Sequence, residues 1–74
     1  MDTQTPPGDD EVERLRQLIS ARLGGRVQDF LVLVRGGGFV LRGRTGSFHL
    51  KQMVQATVIA ATAFQLFANE IAVD

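Results

Sequence analysis

Three consecutive glycines, Gly36, Gly37 and Gly38, stand between "VQDFLVLVR" and "FVLRGR", and no other feature limits the folds open to this chain so strongly. The first run is rich in β-branched, aromatic and leucine residues and too short for a typical helix, so it reads as a strand from about Val27 to Arg35. The second alternates, with Phe39 and Leu41 on one face and Val40, Arg42 and Arg44 on the other. Glycine reaches the positive φ angles of a short reversal without steric cost. The three glycines therefore predict a β-hairpin.

On either side of the hairpin the apolar period lengthens to that of a helix. Val12, Leu15, Leu18, Ile19 and Leu23 recur at three- and four-residue steps after Asp9 and Asp10, either of which can cap a first turn. Gly24 and Gly25 stop this helix. Ser47 can cap a second one, whose Leu50, Val54, Val58 and Ala61 share a face with Met53 and Thr57, while Lys51, Gln52 and Gln55 take the wet side. In "FQLFANEIAVD" the period returns to two, setting Phe67, Asn69, Ile71 and Val73 against Leu66, Ala68, Glu70 and Ala72 in a closing strand. A right-handed crossover through the second helix makes the second and third strands parallel. The expectation is a single small α+β domain over residues 9–74, helix-strand-strand-helix-strand, with a three-stranded sheet and both helices on one face. Residues 1–8, with two prolines and one glycine, read as a disordered leader.

With 74 residues the core is small. There is no cysteine, hence no disulfide, thiolate chemistry or common zinc site. Net charge is zero but unevenly spread: five carboxylates and no basic residue in residues 1–13, then eight basic residues against Asp29 alone from Arg14 to Lys51. That middle segment would suit an anionic partner, unless the acidic first turn folds back and neutralises it. No stretch is apolar enough to span a bilayer and the start lacks a secretory signal, so the sequence as given reads as soluble and cytoplasmic, with an envelope location only for a longer chain.

No catalytic constellation emerges. His49 is the only histidine, and Ser47, two residues away at a helix start, points elsewhere. Ser47 and Lys51 miss the three-residue spacing of Ser-Lys hydrolases. Asp9, Asp10, Glu11 and Glu13 lack EF-hand spacing, and one histidine with scattered carboxylates makes no metal site. Neither phosphate-loop nor dinucleotide fingerprint fits "RGGGFVLRG", because the glycines lead into a strand rather than a helix. No enzyme activity, cofactor or small-molecule substrate is expected.

Surfaces carry what functional signal there is. Arg42 and Arg44 project from one strand face, with Arg35 across the hairpin and Lys51 beyond, as candidate contacts for lipid phosphate or another anion. Nucleic acid is disfavoured, because a sheet that reads RNA stacks bases on surface aromatics and Phe39 falls on the opposite, core-facing parity. With Phe30, Val32 and Val34 assigned to the core, Leu31, Leu33, Val40 and Leu66 fall on the uncovered sheet face. Four large aliphatics there predict burial against a second copy, another domain or an acyl layer.

From Phe39 to Val73 the chain resembles the BON domain, the module named for bacterial osmotically inducible and nodulation proteins. The resemblance rests on Phe39, Leu41 and Gly43, then Ser47 and Lys51, then Phe67, Asn69, Ile71 and Val73, and with the preceding helix and strand it covers about Asp10 to Val73. Ala63 and Phe64 stand where the family usually has a glycine-hydrophobic turn. The resemblance implies the same helix-strand-strand-helix-strand fold, and a non-enzymatic binding module that contacts phospholipid, a partner protein or another copy. Within that frame, Gly43 is expected where a helix backbone comes close to the strand. Asn69 should satisfy a backbone group in a turn or loop.

Overall fold

The computed structural model describes residues 7–74. Helix α1 (Asp9–Leu23) leads through a 3-10 turn, Gly24–Arg26, into β1 (Val27–Arg35); then come β2 (Gly38–Thr45), α2 (Phe48–Ala61) and β3 (Gln65–Val73). This is the α+β order expected from periodicity. The strand order, which sequence left open, is β1-β2-β3, with β2 antiparallel to β1 and parallel to β3. Of the leader expected over residues 1–8, residues 1–6 lie outside the described part, whereas Pro7 is buried and Gly8 caps α1.

The helix ends follow local chemistry. Asp9 and Asp10 do not cap α1 through their side chains: the Gly8 carbonyl accepts from the Glu11 and Val12 N–H groups at 3.1 and 3.2 Å. The acids sit inside the first turn, where they favour the positive end of the helix dipole. Gly24, at φ 56°, ends the helix and donates its N–H to the Ser20 carbonyl. Ser47 caps α2 as expected, its Oγ accepting from the Leu50 N–H at 3.1 Å.

One cluster forms the core: Leu15, Ile19 and Leu23 of α1, Val54 and Val58 of α2, and Val27, Val32, Phe39, Leu41 and Ile71 of the sheet. Because both helices share it with alternate strand residues, both lie on the same sheet face. The helices are also clamped end to end. Glu11 accepts from Arg14 Nε at 3.1 Å and Nη2 at 2.8 Å, and from Thr62 Oγ1 at 2.5 Å, while Arg14 Nη2 also donates to the Ala61 carbonyl at 2.6 Å. An acid in the first turn of α1 is thereby joined to a cation at the carbonyl end of α2, each at its favoured dipole end.

The Arg14 guanidinium and then the Thr62 hydroxyl hold the Glu11 carboxyl below its ordinary value of 4.5. A lowered folded-state pKa means that this contribution is fully present above about pH 4.5 and is lost as acid titrates the folded carboxylate. Glu11→Gln keeps the Thr62 acceptor but not the charge, and it is expected to cost about 1 kcal/mol at neutral pH, or roughly 4–8 °C in Tm. Thermal unfolding from pH 7 to pH 3 checks this: wild type and variant should converge as pH falls.

Three further expectations are corrected, two by irregularities in strand pairing and one by position at the sheet's edge. In β3 the register passes from Phe39↔Leu66 to Val40↔Ala68, so Phe67 is an extra, bulged residue. Leu66 therefore turns inward against the core, and Phe67 turns outward over Gly38. Val34 shares the face of Phe39 yet is 41% exposed, because it lies at the hairpin end of an edge strand. Close approach at Gly43 comes from strand rather than helix: a Cβ there would lie 3.1 Å from the Gln28 carbonyl oxygen and 3.3 Å from Phe30 Cα. β1 bulges at this point, with Asp29 at φ 54° and Gly43 at φ 154°.

Candidate functional site

The sheet face opposite the helices is the first candidate surface. Pairing sets Leu33 across from Val40 and Leu31 across from Arg42, on the parity that alternates with the core residues Val32 and Leu41. Leu31 is 51% exposed, Leu33 half-buried, and Val40 buried in the central strand yet outside the core cluster. Leu66, expected among them, is on the core side, and Phe67 takes its place at 49% exposure. Its ring lies over Gly38, where a Cβ would come within 2.7 Å of ring carbon Cε2 and closer still to the Gln65 carbonyl oxygen. The glycine thus leaves the space against the strand that the Phe67 ring occupies. Sequence reasoning missed Phe67 because alternation cannot reveal which residue of a strand is the extra one.

The basic residues do not form one patch. Arg42 Nε pairs with Glu70 Oε1 at 2.9 Å across the β2–β3 pair. Arg44 Nη2 reaches Asp29 Oδ2 at 3.0 Å and Gln28 Oε1 at 3.3 Å. The αL bend at Asp29 belongs to the same bulge that crowds Gly43, and Asp tolerates that conformation better than most residues. Arg35 lies at the hairpin end of β1, opposite Gly38. Lys51 is on α2, across the domain from the sheet's open face, beside Phe48, Gln52, Gln55, Ala56, Ile59 and Ala60. The expected anion site of Arg35, Arg42, Arg44 and Lys51 is therefore split between opposite sides. The two pairs on the sheet are exposed and worth about 0–1 kcal/mol each. Their effect is to leave the face nearly neutral.

Asn69 joins the sheet to α2. Its Nδ2 donates to the Lys51 carbonyl at 3.1 Å and to Gln55 Oε1 at 3.3 Å, and its Oδ1 accepts from the Ile71 N–H at 3.2 Å. The partner expected from sequence was a turn or loop; the partners found are a helix and its own strand. His49 is exposed on α2. Among the described residues no group of three or more His, Cys, Asp or Glu side chains could hold a metal ion, and no helix is long and apolar enough to cross a membrane. Comparison with protein-family models, curated proteins and solved structures found no match for this chain.

Proposed function

We propose that the chain is a non-enzymatic association module whose open sheet face docks a second copy through Leu31, Leu33, Val40 and Phe67. The observation that carries this reading is the pair of exposed apolar side chains on the two outer strands, the Phe67 ring of β3 seated on Gly38 and Leu31 of β1, with half-buried Leu33 and buried Val40 on the same face between them. Large apolar side chains grouped on one uncovered sheet face mark a contact surface. Apart from Arg35 at the hairpin end, the surrounding arginines are compensated as Arg42–Glu70 and Arg44–Asp29, so two such faces meet with little like-charge penalty. A two-fold contact needs only one self-complementary patch. The BON resemblance also suggests an anionic phospholipid surface. That reading is favoured less, because two of its four basic residues have carboxylate partners and Lys51 faces the other way.

Leu31→Glu tests the reading on an exposed side chain, so the fold should survive. Sedimentation velocity over a concentration series is expected to show self-association in the wild type and at least about tenfold weaker association in the variant. Flotation with anionic and neutral vesicles forms the second arm. The reading fails if Leu31, Val40 and Phe67 NMR signals do not move with concentration, or if Leu31→Glu leaves association intact while binding to anionic vesicles is strong.

A further inference from the structure

Helix α2 is apolar on two sides. Val54 and Val58 enter the core, yet Phe48 and Ile59, on the opposite side, are 60% and 55% exposed. Two large apolar side chains left open among polar ones on the side away from the core mark a contact surface. Phe48, Gln52, Gln55 and Ile59 follow one another at steps of four, three and four residues, the spacing that keeps side chains in a single seam along a helix. Lys51, Ala56 and Ala60 border this seam, and together these seven residues line an open groove of about 460 Å³.

The order of the seam matters. It runs apolar, amide, amide, apolar, and so reads alike in both directions. We propose that α2 packs antiparallel against α2 of a second copy, with Phe48 against Ile59 of that copy and Gln52 against its Gln55. The amides at the centre are complementary: Gln55 Oε1 already accepts from Asn69 Nδ2, which leaves Gln55 Nε2 to donate to Gln52 Oε1 across the seam. Charge also selects the antiparallel arrangement. α2 has no carboxylate and a single lysine, Lys51. In the antiparallel register the two Lys51 side chains are staggered by five residues, about 7.5 Å along the axis, whereas parallel helices would set them side by side. Polar seam positions of this kind fix register and direction at some cost in affinity.

This contact is separate from the sheet face and does not depend on it. α2 is about 21 Å long, too short to reach the roughly 800 Å² per partner of a standard interface. The association is therefore weak and in fast exchange. Two self-complementary contacts on opposite sides of one domain join copies into an open row rather than a closed dimer.

Because the chain has no cysteine, a single nitroxide attached through Ala63→Cys, just beyond the C-terminal end of α2, tests both contact and direction. Spin-labelled protein mixed with ¹⁵N-labelled wild type should broaden amides at the start of α2, around Ser47 to His49. Ile59→Lys should abolish that broadening, whereas Leu31→Glu should not. Broadening at the C-terminal end of α2 would mean parallel pairing and overturn the proposal. So would α2 signals that stay sharp and concentration-independent up to the millimolar range, which would leave the sheet-face reading untouched.

Discussion

Phe39→Ala is expected to leave the domain largely unfolded at room temperature. Phe39 is fully buried in the central strand, flanked by Val34 on β1 and Leu66 on β3. Its ring meets that of Phe64 edge-on, with centroids 5.9 Å apart at 73°. Truncating such a side chain typically costs about 3–5 kcal/mol, as lost transfer energy plus a cavity. A core of this size supplies a net stability of about 3–5 kcal/mol, so the two quantities cancel. Far-UV circular dichroism and urea titration would read the loss directly. Phe39→Leu, which keeps most of the volume, should retain a cooperative transition. A Tm for Phe39→Ala within about 5 °C of wild type, a shift equivalent to roughly 1 kcal/mol, would place the weight of the core elsewhere.

Asn69→Leu should have the next largest effect, about 2 kcal/mol, or roughly 8–16 °C in Tm for a domain of this length. The side chain is half-buried and serves three partners at once: the Lys51 carbonyl, Gln55 Oε1 and the Ile71 N–H. Leucine fills the space but leaves the Ile71 N–H of an edge strand without its acceptor and unties β3 from α2. Amide hydrogen exchange at Ile71 should therefore accelerate by more than the change in global stability accounts for. Asn69→Asp separates the two functions of the amide, because it retains the acceptor for Ile71 and removes the donor to Lys51. If Asn69→Leu is as stable as wild type and Ile71 exchange is unchanged, the tie between strand and helix contributes nothing.

Much of the architecture was legible because its causes are local. Ser47 caps α2 with its own hydroxyl, Gly24 ends α1 at a positive φ, and the hairpin turns at Gly36 and Gly37, at φ 53° and 96°. Core positions such as Leu15, Ile19, Phe39, Leu41, Val54 and Val58 follow directly from the two periods. The candidate surface was legible only in part. Leu31, Leu33 and Val40 fall where alternation puts them, but Leu66 and Phe67 exchange faces across one bulge. Nor do spacings along the chain reveal that Arg42 lies beside Glu70, twenty-eight residues away, or that Arg44 reaches Asp29.

Sequence by itself determined which segments are helix and strand and which side of each helix enters the core, since turn chemistry and apolar period act over a few residues. Strand order, the parity of β3 upstream of its bulge, and the pairing of each arginine with a carboxylate were decided only in the tertiary structure. Those depend on which distant backbones approach each other. A single extra residue in β3, accommodated where Gly38 has no side chain, settled which aromatic ring faces the solvent.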